Sequence, residues 1–388
     1  MLKINPFYLL MLFYLIVNFI FAIIGFNSNR VDIELTLFNL KSSSFFVAFI
    51  FQLLACCIIF IVFFIFKQVK GIRNEFYIYN KGAFVLFSFQ LLFLLYNAYY
   101  GTNIAGVSVK ATNPILNTFF VLLPADLFYI LFSPFIKSNK LFSLNSILFI
   151  VSSTLRGWMG GVLLVFFIYA CRKEFLRVSL KNLIVYLFFF VLVLFLVPYL
   201  VLMKWAMRSN DSIFSIFEVV DKNSYITLLD ESLYFIFNRF QHNYHIALIW
   251  ENSEKLIQAY NSNRILPYWG EGVIQTIFLK IFGTQDTPTL AQAMVYMLFS
   301  SRGDWNSNPG LAGWLIILQE SFIFYILYIV IILSLGFFIA KKFYGNKMLL
   351  LVGVFSVFYL FHGWIGAYVT MITYLLFFTI ISKVKFRV

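Results

Sequence analysis

Charge is the scarcest property of this chain. Only 12% of its 388 residues are Asp, Glu, Lys or Arg, about half the share a soluble domain carries, and a water-soluble globular fold is excluded on that ground. Cysteine is nearly absent: Cys56, Cys57 and Cys171 are the whole set, with neither the number nor the spacing of a disulfide framework or a metal cluster. The chain contains no GxxxxGK[ST], no GxGxxG, no HExxH and no paired DxD. Neither a metal nor any cofactor is therefore expected, and a nucleotide donor held through a metal is disfavoured. Nucleic acid is excluded as a partner, because no basic patch interleaved with aromatics occurs in a soluble segment.

Apolar residues fill the space that charge leaves. They make up 62% of the chain, with 52 Phe, most of it lipid-facing filler. Continuous apolar runs of about 20 residues match the roughly 30 Å of hydrocarbon that a helix crosses at 1.5 Å per residue. In lipid the backbone must satisfy its own hydrogen bonds, and the runs do not alternate, so the spans are helices and not a barrel. The first run, Phe7 to Phe26, lacks a small-residue cleavage site and reads as a retained span. The expected fold is all-α: a polytopic bundle of about ten spans with both termini cytoplasmic and one large external loop containing amphipathic helices.

Lys and Arg in the short loops set the orientation. The positions assigned to the inside hold 17 basic residues against the two acids Glu75 and Glu174, and the outside loops, leaving out Arg156, hold 11 against 12. The net charge of +13 is thus mostly topology. Three regions result: spans 1–7 over 1–203, an external loop over 204–311, and spans 8–10 over 312–388. Leu141 to Cys171 is expected to cross twice, with Arg156 at the outer tip. Span 8 is expected to run from about 312 to 340, and His362 falls near the tip of a last hairpin.

The long loop holds ten of the sixteen acids in the chain. Asp230 and Ser232 predict a capped helix reaching about Lys255, lying on or dipping into the membrane surface. On it Arg239, His242 and Asn243 would share a face, and Glu251 with Lys255 would form an i,i+4 pair. Thr289 to Phe299 predicts a second short helix. Trp269 to Gly272 and Ser307 to Gly310 predict turns.

Several residues point to chemistry. Arg156, inside an apolar run, must line a polar cavity, pair with a carboxylate, or mark a hairpin tip. Arg239 offers a guanidinium fork suited to phosphate oxygens; Arg302 and Arg264 are further cations of the same loop. His242 and His245 can accept a proton from a sugar hydroxyl, with Glu271 and Asp304 as carboxylate alternatives. Glu320 is expected to be a buried, paired carboxylate of span 8, with Arg156 or Arg302 as partner. Asp126 has no evident partner in the sequence.

Ser152-Ser153-Thr154-Leu155-Arg156-Gly157, Asn238-Arg239-Phe240, and Ser307-Asn308-Pro309-Gly310 followed by Gly313, set in this architecture, resemble the O-antigen polymerase (Wzy) family. Arg302 to Gly313 fits that family's Arg-x10-Gly pattern once, without a second copy. The resemblance implies a glycosyltransferase of the bacterial inner membrane, active at its periplasmic face. It would polymerise oligosaccharide units carried on undecaprenyl pyrophosphate. Arg156, Arg239, Arg302 and Arg264 would meet the pyrophosphate, and His242, His245, Glu271 or Asp304 would supply the base. Membrane lipid and a chain-length regulator protein are the partners it implies. Two alternatives stand beside it. An O-antigen ligase pattern, His-Asn-x9-Gly, begins at His242-Asn243 but meets Ser253 in place of Gly. A polysaccharide flippase fits poorly with so long a loop.

Overall fold

The computed structural model describes residues 2–33, 36–71, 76–104, 112–209, 219–221, 224–281, 287–299 and 306–383. In chain order the elements are β1 (Leu2–Ile4), α1 (Pro6–Ser28), β2 (Arg30–Ile33), β3 (Thr36–Asn39), α2 (Ser42–Gln68), α3 (Asn80–Tyr100), α4 (Pro114–Leu122), α5 (Ala125–Phe132), α6 (Asn139–Leu155), α7 (Gly161–Lys173), β4 (Leu176–Val178), α8 (Leu180–Ser209) and α9 (Tyr225–Phe240). There follow α10 (Asn243–Glu251), α11 (Ser253–Asn261), α12 (Val273–Ile281), α13 (Leu290–Leu298), α14 (Gly310–Ile317), α15 (Phe322–Ile339), α16 (Asn346–His362) and α17 (Ile365–Lys383). Among the described residues the strands form two antiparallel pairs, β1 with β4 and β2 with β3.

Among the described residues six helical stretches are long and apolar enough to cross a membrane: Pro6–Ser28, Ser42–Gln68, Asn80–Tyr100, Pro114–Phe135, Asn182–Ala206 and Gln319–Tyr344. Asn346–His362 and Ile365–Ile381 are shorter apolar helices. The chain is an all-α, multi-pass membrane protein. Its exposed apolar side chains, such as Leu187, Phe188 and Phe189 along α8, are the lipid-facing surface such a protein needs.

The chain divides into two compact units, residues 1–6 with 74–237 and residues 7–73 with 238–388. The long loop is shared between them. In the first unit α3 packs on α5 and α6. Polar side chains inside the apolar helices find each other: Gln90 donates to Asn145 at 2.8 Å, and the Tyr129 hydroxyl donates to Ser146 at 2.8 Å. Residues 141–171, expected to cross twice, form two short helices, α6 and α7, packed on each other. The first helix stops because Gly157 takes φ +74°, a conformation open to glycine. The amides of Gly157 and Trp158 then close on the carbonyls of Thr154 and Ser153, the usual glycine stop for a helix.

In the second unit α10, α14 and α16 are packed against α2. Every residue from Asn243 to Ile249 and from Gly310 to Ile317 is buried. Gly313 permits this, since a Cβ there would lie 2.8 Å from the Ile249 side chain.

The structure corrects several expectations. The helix from Asp230 to Lys255 is three helices, interrupted at Gln241–His242 and at Asn252, so Arg239, His242 and Asn243 do not share the face of one helix. Its middle piece, α10, is enclosed by protein and does not lie on a surface, because the tertiary packing of Tyr244 to Ile249 outweighs the helix continuity that propensity favours. Glu251 does not pair with Lys255: it accepts from the Lys41 amide and the Ser44 hydroxyl, while Lys255 donates to the Met297 carbonyl at 2.6 Å. Span 8 is broken at Leu318–Ser321, where Gln319 takes φ +45°. Glu320, expected to be buried and paired, is therefore exposed at that break.

Candidate functional site

Histidine is rare in this chain, yet all three copies meet in the second unit. His242 lies between α9 and α10, His245 on α10, and His362 at the end of α16. The rings of His242 and His362 are 4.2 Å apart and those of His242 and His245 6.1 Å apart. Tyr14 of α1 hydrogen-bonds His362 Nε2 at 2.8 Å, and Trp364 stacks on His362 at 4.6 Å. The placement of His362 near the other two was not legible from its position in a separate hairpin.

One asparagine explains why the chain turns here. Asn18, in the middle of α1, accepts from the His242 amide at 2.7 Å, the Asn243 amide at 3.2 Å and the Gln52 side chain at 2.9 Å. It donates to the Phe240 carbonyl at 3.2 Å. The amides that α10 leaves open at its start are thus satisfied by a side chain of another helix, and the end of α9 is tied to the same group.

His242 and His245 are enclosed by protein. Among the described residues neither nitrogen of either ring has a hydrogen-bond partner. Burial, and then neighbouring His362, His245 and Arg239, hold the His242 imidazole well below its ordinary value. Burial, and then the charge of Arg239, push His245 down to about 3. Both rings are therefore neutral near pH 7, but the burial that keeps them neutral also makes them poor proton acceptors, and they are closed off from substrate in this arrangement. Among the described residues no three His, Cys, Asp or Glu are placed to hold a metal ion.

Two loop segments singled out in the sequence border this centre. Phe240 packs on Phe13 and Tyr14 at 5.3 and 5.7 Å, next to the half-buried Arg239. Asn308 accepts from the Trp364 indole at 3.1 Å. Gly310 and Gly363, both at positive φ, cross so closely that a Cβ on Gly363 would lie 2.7 Å from the Gly310 amide. Arg302 and Asp304, by contrast, lie outside the described residues.

Glu271 occupies a second polar point of the same unit. It follows a short turn at Tyr268–Gly270 and receives the Gly366 amide at the start of α17. Desolvation outweighs that bond and pushes its carboxyl up to about 7. Tyr325 and Tyr328 are within its electrostatic reach, and the Tyr268 ring lies 4.9 and 5.3 Å from theirs. Unlike the histidines, Glu271 is only partly enclosed. A carboxyl that titrates near neutrality can take or give a proton at working pH.

The arginines are dispersed. Arg156 belongs to the first unit, where it donates to Asp126 at 2.7 Å and to the Ser152 carbonyl at 3.0 Å. Its guanidinium lies 5.0 Å from the Phe93 ring centre. Asp126 thus has a partner that the sequence did not reveal, because thirty positions separate them along the chain. Arg264 is exposed beyond the end of α11. Comparison with protein-family models, with curated proteins and with solved structures finds no match to this chain.

Proposed function

We propose that this membrane protein is a metal-independent glycosyltransferase that polymerises oligosaccharide units carried on undecaprenyl pyrophosphate, in the manner of the O-antigen polymerases. The observation that carries the reading is the convergence of Asn238-Arg239-Phe240 and Ser307-Asn308-Pro309-Gly310, two of the segments that carry the resemblance, on one polar centre inside the second unit. In the same unit Glu271 supplies a carboxyl held up to about 7.

In this reaction an acceptor hydroxyl attacks the anomeric carbon of the donor sugar. The new glycosidic C–O bond forms as the bond to pyrophosphate breaks. The hydroxyl proton passes to the Glu271 carboxylate, and the carrier pyrophosphate leaves with its charge met by an arginine. Arg239 is the best-placed described arginine of the second unit. Arg156 is already engaged by Asp126 within the first unit. Glu271, desolvated but not wholly enclosed, ranks ahead of His242 as the base, reversing the order that the sequence favours, because a fully enclosed imidazole cannot reach a substrate hydroxyl.

The glycan made by a strain lacking the gene tests the reading. A single repeat unit on the lipid core is the expected outcome. Long polymer left on the carrier means a ligase, and loss of all external glycan means a flippase.

The same reading places ten spans in the bacterial inner membrane, with both termini inside and the 204–311 loop outside. In a background without Cys56, Cys57 and Cys171, a cysteine at Asn263 is expected to react with an impermeant thiol reagent in intact spheroplasts, and one at Asn346 to stay unlabelled until lysis. Both positions are exposed, so silence at either reports the membrane and not burial. The opposite pattern would invert the topology.

A further inference from the structure

The second unit carries a shallow, open surface cleft that neither the histidine centre nor Glu271 accounts for. It has a volume of about 530 Å³ and is lined by Glu254, Ile257, Gln258, Asn261, Ser262 and Gln319. One wall is α11; the other is the break at Leu318–Ser321 that ends α14. Three lining residues are amides, one is a hydroxyl and one a carboxylate, and the lining includes neither Lys nor Arg. Among the described residues none of the three amide side chains is tied up in a hydrogen bond within the fold. Gln319 is held at φ +45°, a conformation uncommon for a residue with a side chain and one that marks sites where geometry is imposed. Behind the cleft, Tyr260 packs on Trp314 at 5.8 Å, and Trp314 on Tyr268 at 5.8 Å, so the wall is stiffened by rings down to the turn that carries Glu271.

This lining has a definite chemistry. Each amide presents a donor and an acceptor, the pair of functions that a sugar hydroxyl also has, and the carboxylate accepts from two hydroxyls at once. Ile257, with the methylene groups of the lining, gives an apolar surface for the C–H face of a pyranose. The absence of cationic side chains disfavours phosphate, and five hydrogen-bonding side chains around one aliphatic residue suit hydroxyls arrayed on an apolar ring face better than an acyl chain. The cleft also lies where the apolar stretch Gln319–Tyr344 begins, at the end of a candidate span, which is where a glycan emerges from a carrier lipid.

We propose that this cleft is a subsite for neutral sugar residues. That those sugars belong to a lipid-linked unit rests on the function proposed above; the affinity of the cleft for neutral sugar does not. The test uses the full chain in lipid nanodiscs and saturation-transfer NMR, with maltotriose, mannotriose and N,N′-diacetylchitobiose as probes, each also offered as a sugar phosphate. At least one neutral probe is expected to bind. The double variant Gln258→Ala/Gln319→Ala should weaken it about tenfold or more, equivalent to about 1.4 kcal/mol. Asn261→Trp, on an exposed position, should fill the cleft and abolish binding without unfolding the protein. Binding that needs the phosphate, that withstands both variants, or that is absent for every neutral probe overturns the subsite and leaves the polymerase reading standing. Sugar binding with these sensitivities in a protein whose deletion leaves polymer unchanged keeps the subsite and overturns the polymerase reading.

Discussion

Glu271→Gln is expected to lower polymer formation by about a hundredfold or more, the loss that follows removal of a general base, while the protein stays folded in the membrane. The wild-type rate should rise with pH up to and through about 7, where the Glu271 carboxyl gives up its proton. Stability runs the other way. A carboxyl raised from its ordinary 4.5 to about 7 binds its proton more tightly in the folded state. Its contribution is fully present below the unfolded value and is lost as pH rises through about 7. The Glu271→Gln protein lacks that loss, so at pH 8 it should be at least as stable as wild type and still inactive. Polymer-length analysis together with thermal melting across pH 5–8 separates the two effects. Wild-type polymer in Glu271→Gln would return the role to His242 and His245, for which the double variant His242→Ala/His245→Ala is the matching test.

Arg156→Ala is expected to destabilise the first unit by about 3 kcal/mol. Breaking a buried ion pair leaves the remaining charge without its partner, an effect of about 3–5 kcal/mol in well-enclosed pairs. The Arg156 side chain is 8% exposed, but that of Asp126 is 35% exposed, which places the expectation at the low end. Asp126→Ala should do comparable damage. The exchange Asp126→Arg/Arg156→Asp should recover part of the loss, as no pyrophosphate-binding role for Arg156 alone would predict. Arg156→Lys should recover little, because a point charge replaces a fork that also binds the Ser152 carbonyl. Unfolding in detergent, followed by the accessibility of native Cys171, which is buried in α7, reports all four variants. An unchanged midpoint in both single variants would show that the ion pair does not hold this unit together.

The membrane helices were legible because hydropathy over about 20 residues is a strong and local signal. The hairpin of α6 and α7 was legible too, through Lys and Arg at its flanks and Gly157 at its tip. Three features were not. The breaks at Gln241–His242, Asn252 and Leu318–Ser321 have no proline to announce them, and they arise because buried neighbours reward short helices over continuous ones. The meeting of His362 with His242, and of Asp126 with Arg156, depends on which helix packs beside which, and one-dimensional periodicity does not carry that. A usable signal was nevertheless present. Asn18, Gln52, Gln90 and Asn145 are amides inside apolar spans, and such residues mark where helices touch. The pairs Asn18 with Gln52 and Gln90 with Asn145 are the contacts they mark.

The shortness of α10 and α14 has a consequence for how the protein is made. At 9 and 8 residues and 1.5 Å per residue, each is roughly 12–14 Å long, less than half the hydrocarbon thickness. Neither can enter the bilayer as an independent unit when it leaves the translocon. Each must wait for walls of finished protein. For α10 one wall, α2 with the amide of Asn18 from α1, is synthesised first. The other is α14, which in turn packs on α16, and α16 brings His362 and is synthesised near the end. The polar centre is therefore sealed last, by the C-terminal hairpin folding back onto segments that have been held outside the lipid.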